Sequence, residues 1–395
     1  MSVFKLDNVI QNYAWGSKES ISKMFGIDNS DCQPQAEIWM GAHPNGCSRV
    51  AATGELLSDV IAQDSKSIFG DYPAMRFGEL PYLFKVLAAE TPLSIQVHPS
   101  KQKAEAGFAR ENEQGIALNA AHRNYKDPNH KPELVYALTY YKAMNGFRPI
   151  SQIIDLFQQA GIASLDTEVS ALEAKPNSDG LREFFTAIMS LDEQRKISAL
   201  EQLDQALIRG PKTALMREVF EYVAEFNKHY PGDIGLLSPL FLNTIELAPG
   251  EAMFLHAETP HAYVQGTGLE IMANSDNVLR AGLTPKHIDV DELIDNTLFV
   301  STNPKQIKLA PIYKEGKLSY PIPVDDFGFD ILTASDAIKR QYLRSAEILF
   351  CVEGEVQVEV NHQALRLKPG ESVFISNDSG MYSYQGNGTL ARAYN

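Results

Sequence analysis

The sequence has little cysteine, no excess of basic residues and no long apolar run. It contains three cysteines in 395 residues, Cys32, Cys47 and Cys351, which are too few and too scattered for a disulfide framework or a Cys-x-x-Cys metal site. This usage fits a reducing compartment. Lys and Arg total 35 against 50 Asp and Glu, so the net charge of −15 argues against nucleic acid or an anionic membrane as a partner.

Neither a signal peptide nor a membrane-spanning segment is evident. The N-terminus, MSVFKLDNVIQNYAW, lacks the successive charged, apolar and small-residue regions of a signal peptide. No run approaches the ~20 apolar residues that a membrane helix requires. We therefore expect a cytoplasmic protein that acts as a monomer, and the length predicts two or three domains.

The hydrophobic pattern changes twice along the chain. Residues 1–150 are dense in turn-forming residues and short apolar runs, of which ELVYALTYYKAMNGF (133–147) is aromatic and β-branched and favours strands. Residues 151–235 place apolar residues at helical spacing, and Leu200 and Leu203 belong to one such stripe. Short strand patterns then return and persist to the C-terminus. The predicted fold class is mainly β with an α-helical insert.

One internal similarity concerns LAPGEAMFLHAETPHAY (247–263) and LKPGESVFISNDSGMYS (367–383), which align without gaps at an offset of 120 residues. Each segment has Leu-x-Pro-Gly-Glu, a short apolar strand and a polar turn. This pattern is typical of cupin-type jelly-roll β-barrels, whose mouths can hold a small ligand. His261 in the first copy corresponds to Met381 in the second, so we expect a metal only in the first copy.

The repeat and the helical block together predict three domains. Residues 1–150 with 236–300 form a discontinuous catalytic barrel, 151–235 form the helical insert domain, and 301–395 form a C-terminal barrel without a metal site.

Four residues suggest a metal site in the first barrel. Gln96 and His98 lie two apart in a strand-like run, so their side chains project from the same face. Glu133 begins the next strand-like run, and His261 stands where the first repeat would present a side chain to the same barrel. One amide oxygen, two imidazoles and one carboxylate form a set that suits Zn²⁺, with a position left for substrate.

A second group of polar residues lies in GLEIMANSDNVLRAGLTPKHID (268–289), where Glu270, Asp276, Arg280 and Lys286 alternate with small and apolar residues. This is not the composition of a solvated face, and it favours a pocket. A structural interpretation is also open, in which Ser-Asp-Asn caps a turn and Arg280 pairs with a carboxylate.

Several stretches resemble a known family: YKDPNHKPEL (125–134), HAYVQGTGLEIMANSDNVLRAGLTPKHID (261–289), IQNYAWG (10–16), EIWMGAHP (37–44) and PLSIQVHP (92–99). They are similar to motifs of the type I mannose-6-phosphate isomerases, or phosphomannose isomerases, which belong to the cupin superfamily. The resemblance covers nearly the whole chain. It implies one zinc ion per chain and a sugar phosphate as substrate.

The resemblance also implies residue roles. The positions that match the family's zinc ligands are Gln96, His98, Glu133 and His261. Arg280 matches its catalytic arginine. The other matching positions bind substrate or line the pocket: Ser94 and Lys131 at the phosphate, Glu270, Asp276 and Lys286 along the pocket, and Trp15 and Glu37 at the cleft. Two further histidines, His43 and His256, receive no ligand role.

The family reaction interconverts mannose 6-phosphate and fructose 6-phosphate, with proton transfer between C2 and C1 through an enediol. Arg280 stays protonated, so it suits an oxyanion rather than the role of base. Glu270 is the favoured base, and Asp276, a zinc-bound water or Lys286 as a proton shuttle are the rivals.

Two other functions are compatible with the residues. A non-haem iron oxygenase also uses two histidines and a carboxylate, although Gln96 and the charged patch argue against it. A regulator that binds a sugar phosphate around a structural metal would show no isotope exchange at the sugar C2 proton.

Overall fold

The computed structural model describes residues 2–395, which form two antiparallel sheets and a block of helices. The strands are β1 (Val3–Asp7), β2 (Val9–Gln11), β3 (Glu37–Met40), β4 (Arg49–Val50), β5 (Tyr82–Ala89), β6 (Gln96–Val97), β7 (Glu133–Ala137), β8 (Tyr141–Phe147), β9 (Leu242–Leu247), β10 (Ala252–Leu255), β11 (His261–Ala273), β12 (Leu279–Arg280), β13 (Ile312–Lys314), β14 (Lys317–Ser319), β15 (Gly328–Thr333), β16 (Lys339–Tyr342), β17 (Glu347–Val360), β18 (Gln363–Leu367), β19 (Ser372–Ile375) and β20 (Met381–Tyr394).

The helices connect and flank these strands. They are α1 (Ser20–Phe25), α2 (Leu57–Gln63), α3 (Ser65–Phe69), α4 (Asp71–Arg76), α5 (Lys101–Glu113), α6 (Ile150–Ala160), α7 (Asp166–Ala174), α8 (Ser178–Met189), α9 (Glu193–Arg209), α10 (Ala214–His229), α11 (Ser238–Phe241) and α12 (Val290–Asp295). No helix within residues 2–395 has the length and apolar character needed to cross a membrane.

The first sheet is organised around the long strand β11, which pairs with β5, β6, β7 and β8. Its main path runs β10-β7-β11-β5-β3-β2. Strand β5 is buried along its whole length, as its apolar sequence YLFKVLAA predicts, yet it carries one charged residue, Lys85. A lysine in such a strand requires a partner inside the protein.

A β-bulge in β11 decides which side chains share a face. The register against β8 shifts between Tyr263 and Gln265, because Val264 is an extra residue without a counterpart on the other strand. Side chains alternate along a strand, so residues nine apart would normally point to opposite faces. The one extra residue restores the alternation, and His261 and Glu270 therefore line the same cavity.

The helical block extends from α6 to α11 and packs on the first sheet through a shared apolar core. The predicted stripe of Leu200 and Leu203 is confirmed as core, and Val219 and Phe226 are buried in the same core. Helix α6 ends at Gly161, which adopts the left-handed conformation that commonly ends helices.

The second sheet confirms the internal repeat. Strand β10 corresponds to β19 at the offset of 120 residues, and β11 begins at His261 where β20 begins at Met381. The main path of this sheet runs β13-β14-β15-β20-β17-β19-β1-β4. The mainly β fold with two sheets and a helical region is therefore as predicted.

The N-terminal region differs from the expectation that all of residues 1–150 belong to the catalytic barrel. Strand β1 pairs with β19 in the second sheet, and β4 follows it there. Val3 and Leu6 are buried as a result, which gives this pairing a hydrophobic driving force. The first strand therefore joins the C-terminal sheet to the rest of the molecule.

The core of the second sheet contains a buried charge cluster. Arg392 donates from Nε to Glu347 Oε2 at 2.7 Å and from an NH group to Asp330 Oδ2 at 2.5 Å. The three side chains are at most 4% exposed. Buried carboxylates of this kind depend on the cation that compensates them.

We predict that Arg392→Met destabilises the fold by about 3–5 kcal/mol, because it leaves Glu347 buried without a cation and Asp330 with only the partly exposed Lys317, 3.7 Å away. Chemical unfolding of the purified protein measures this. The control is Arg366→Met, since Arg366 is 73% exposed and lies 3.5 Å from Glu355. Its loss should change stability by less than about 0.5 kcal/mol, and equal effects of the two variants would contradict the prediction.

Candidate metal centre and pocket

Two histidines and a carboxylate face one another in the first barrel. Nε2 of His98 lies 3.4 Å from Glu133 Oε1, and Nε2 of His261 lies 3.3 Å from Glu133 Oε2. All three residues are buried, and within residues 2–395 they are the one His/Cys/Asp/Glu group that could hold a metal ion, with ligand atoms within 4.8 Å of one another.

The second nitrogen of each ring fixes its tautomer. Nδ1 of His98 lies 2.6 Å from the carbonyl oxygen of Asn277, and Nδ1 of His261 lies 2.9 Å from that of Thr259. A carbonyl only accepts, so each Nδ1 carries a proton, and in the neutral form of the ring each Nε2 presents a lone pair to Glu133. This is the arrangement by which proteins orient histidine ligands on a metal.

The electrostatics fit a cation between these groups. Burial, together with the nearby positive charge of Lys131, lowers the pKa of His98 to about 4, so the ring is neutral near pH 7. Its Nε2 is buried and has no hydrogen-bond partner. Burial opposes ionisation of Glu133, but Lys131 and His98 outweigh it and hold its pKa well below the usual range. The Nε2 lone pair of His98 therefore faces the negatively charged carboxylate of Glu133. A metal ion between them would bind both groups.

Gln96 lies beside this trio. Strand β6 pairs Gln96 with His261 on one side and with Arg280 on the other. Its amide nitrogen lies 3.3 Å from Ser94 Oγ and donates to it, which leaves the amide oxygen free to act as a ligand. Gln96, Glu133 and His261 line the same cavity of about 70 Å³. The four predicted ligand positions are thus adjacent.

Half of the predicted pocket residues line this cavity as well. They are Ser94 and Lys131, the latter 3.2 Å from Glu133, with Glu37 and Glu270. The lining also contains Lys85 and Tyr263, for which the sequence predicted no role. Two features of the sequence could have indicated them: Lys85 is the lone charge in a strongly apolar run, and Tyr263 shares a strand face with His261.

Lys85 and Glu270 form a buried ion pair across strands β5 and β11. The Lys85 ammonium donates to Glu270 Oε2 at 2.9 Å and lies 3.6 Å from Glu37 Oε1. Tyr263 donates its hydroxyl to Glu270 Oε1 at 2.8 Å and lies 3.2 Å from Glu133 Oε2. Tyr263 therefore connects the ion pair to the candidate metal ligands.

Burial and charge act in opposite directions on this pair. Burial alone would lower the pKa of Lys85, but Glu270 and Glu37 outweigh it and raise that pKa, so Lys85 stays charged. Burial raises the pKa of Glu270 despite the opposing effect of Lys85. A carboxylate with a raised pKa in a cavity is a candidate acid–base group.

The other predicted residues lie around the cavity rather than in it. Arg280 is half-buried beside Gln96, and Lys286 is exposed, with its pKa lowered first by Arg280 and then by burial. Asp276 lines a neighbouring cleft of about 880 Å³. Trp15 packs on the cavity wall and stacks on Tyr13 with ring centroids 5.8 Å apart.

Comparison with known proteins identifies the family. Residues 3–150 match the phosphomannose isomerase type I catalytic domain, 156–242 match its helical insertion domain, and 316–395 match the mannose-6-phosphate isomerase cupin domain. The mannose-6-phosphate isomerase of Escherichia coli (strain K12) is 49% identical over 394 residues, which cover 99% of both chains. The chain belongs to the type I phosphomannose isomerase family.

More distant members and solved structures agree with this. The mannose-6-phosphate isomerase of Homo sapiens is 34% identical over 385 residues, covering 90% of this chain and 88% of the human one. A phosphomannose isomerase variant from Salmonella typhimurium has a crystal structure with a TM-score of 0.95 at 48% identity, covering 100% of both chains. A zinc-bound mannose 6-phosphate isomerase gives a TM-score of 0.94 at 48% identity, also over 100% of both.

Membership of the type I phosphomannose isomerases confirms the resemblance found in the motifs. Zinc is present in solved structures of relatives, and this chain brings together histidine, carboxylate and amide groups that suit the same ion. The cavity also contains Glu270, a buried acid–base candidate. The hydroxyl of Tyr263 contacts both Glu270 and the candidate ligand Glu133.

We predict that His261→Ala abolishes zinc binding at this cavity, because it removes one of two lone-pair nitrogens that face Glu133. Zinc content of the purified variant, measured by elemental mass spectrometry, tests this. The matched control is His256→Ala, which removes a histidine of the same segment that lies outside the cluster and should retain zinc. A His261→Ala protein with full zinc content would show that the ligand assignment is wrong.

Proposed function

We propose that this chain is a zinc-dependent aldose–ketose isomerase that interconverts mannose 6-phosphate and fructose 6-phosphate. The observation that carries the proposal is the pair of imidazole Nε2 atoms, of His98 and His261, that face Glu133 beside the buried carboxylate of Glu270. Family membership over the whole chain supports the same reaction and favours it over an iron oxygenase or a regulator. The reaction moves a proton between C2 and C1 through an enediol.

Four residues would hold the zinc ion: Gln96, His98, Glu133 and His261. When bound there, zinc supplies a Lewis acid that polarises the sugar oxygens next to the reacting carbons. The chain itself positions these ligands, because backbone carbonyls orient both imidazoles and Ser94 orients the amide of Gln96.

Glu270 is the proposed base. It lies in the ligand cavity, and its raised pKa places it nearer the working pH than an ordinary carboxylate. Asp276 is less suited, because His43 outweighs the effect of burial and holds the pKa of Asp276 below its usual value, and because it lies in the adjoining cleft. Lys286 is exposed and lies outside the cavity, which disfavours it as a shuttle.

Positive groups compensate the negative charge of the substrate. Arg280 stands next to Gln96, where a fixed guanidinium suits the oxygen that becomes negative during proton transfer. Lys131 and Ser94 line the cavity and suit the phosphate, with Lys286 as a further cation at the rim. Trp15 and Glu37 would shape the wall of the cleft.

We also propose a cytoplasmic monomer. The scattered cysteines suit a reducing compartment. Every residue of the proposed site comes from one chain, so the chemistry needs no second copy. We propose that the chemistry belongs to the catalytic barrel of residues 1–150 and 236–300, apart from β1 and β4, which pair in the second sheet. The helical insert and the barrel of 301–395 would support it.

We predict that the purified protein converts mannose 6-phosphate to fructose 6-phosphate, measured by coupling the ketose product to a reporter enzyme. A chelator should abolish turnover and added Zn²⁺ should restore it, since the ligands lie within the cavity where the chemistry occurs. Solvent deuterium should appear at the carbon that is reprotonated. Sugar phosphate binding without turnover or exchange would instead favour the regulator.

We predict that Arg280→Ala lowers kcat by roughly 100-fold or more and leaves zinc content unchanged, because it removes transition-state charge stabilisation but no ligand. Arg280→Lys should recover part of the loss, as it restores the charge without the planar donor group. Steady-state kinetics and metal analysis on the same samples test this. An unchanged kcat in Arg280→Ala would exclude the proposed role.

A further inference from the structure

His43, for which the sequence predicted no ligand role, has polar partners on both ring nitrogens. It is 5% exposed, and its Nδ1 accepts a hydrogen bond from the backbone N–H of Asn45 at 3.2 Å. In the neutral ring the proton is therefore on Nε2, which lies 3.4 Å from Asp276 Oδ1. The side-chain amide of Asn45 donates to the other carboxylate oxygen of Asp276 at 3.0 Å. His43 and Asn45 therefore each face a different carboxylate oxygen of Asp276.

Asp276 has capacity left for another ligand. Its side chain is 41% exposed and lines the cleft of about 880 Å³, together with Tyr13 and Trp39. A carboxylate held by two donors still has lone pairs that face the cleft, and these can only accept. Hydroxyl groups of a sugar are donors of the matching kind.

The other face of His43 leads to the metal cavity. Its ring stands edge-on to Trp39 with centroids 5.0 Å apart. Trp39 Nε1 donates to Glu37 Oε2 at 2.7 Å, and the ammonium of Lys85 lies 5.1 Å from the indole centroid. Glu37 and Lys85 both line the metal cavity, so Trp39 forms the wall between that cavity and the cleft.

We propose that His43 is a positioning residue. It holds the carboxylate of Asp276 so that this carboxylate accepts hydrogen bonds from hydroxyl groups of the sugar while the reacting carbons lie at the metal cavity. The inference rests on the proposed isomerase function. In this role His43 does not contact the substrate. His43 acts through Asp276. Its edge-on contact with Trp39 holds Trp39 and Asp276 in fixed positions relative to each other in the cleft.

The test compares two substitutions of His43. His43→Phe keeps a ring against Trp39 but removes both the Nε2–H that faces Asp276 and the Nδ1 acceptor of the Asn45 N–H. It should lower kcat/KM by about tenfold or more, the factor expected for losing a hydrogen bond to a charged group. His43→Gln places an amide N–H near the same position and should recover most of this loss. Zinc content and the melting temperature should stay at the wild-type level in both.

A double-mutant cycle separates positioning from general damage. In an Asp276→Asn background, His43→Phe should have little further effect, because the carboxylate that it orients is already absent. The matched control is His229→Phe, an exposed position of the helical domain that should keep full activity.

Three results would overturn the role of His43: an unchanged kcat/KM in His43→Phe, an equal loss in both backgrounds, or a loss accompanied by lower zinc content or melting temperature. An inactive wild-type protein would overturn the proposed function together with this role. An active wild type with an unaffected His43→Phe would overturn this role alone.

Discussion

Compensation of buried charge is the constraint on which the site depends. Glu133 and Glu270 are 3% and 2% exposed, so neither carboxylate can rely on water. Lys85 compensates Glu270, and Lys131 compensates Glu133, toward which the Nε2 atoms of His98 and His261 also point. This arrangement favours binding of a divalent cation, and the same burial raises the pKa of Glu270. Burial of the two carboxylates thus accounts for both the metal site and the candidate base.

The two barrels show how the same local pattern leads to different chemistry. The Pro-Gly-Glu repeats produce corresponding strands at the offset of 120 residues. In the second sheet, however, the buried carboxylates Glu347 and Asp330 are already compensated by Arg392 from the chain itself. In that sheet a side chain of the protein itself therefore supplies the positive charge that these carboxylates require.

Local positive charges offset the unfavourable effect of the negative net charge on an anionic substrate. At −15 the protein repels a sugar phosphate at long range, but screening limits this to about 10 Å at 0.1 M salt. Lys131 lines the metal cavity, Arg280 pairs with Gln96 at its edge, and Lys286 lies near enough to Arg280 for that charge to lower its pKa. On the proposed assignment, capture of the phosphate depends on these few groups and a bound cation rather than on the overall field.

The sequence alone determined the fold class and the repeat, because these depend on spacing along single strands or helices. Its motifs resembled those of the family, and residue types together with those motifs indicated the four candidate ligands. It did not reveal Lys85 and Tyr263, which enter the cavity through strand pairing and shared strand faces. Nor did it place β1 in the second sheet, since partner strands distant in sequence leave no periodic mark. Only the tertiary structure decided that His261 and Glu270 share a face. That outcome depends on one bulged residue, whose effect on alternation a linear pattern does not record.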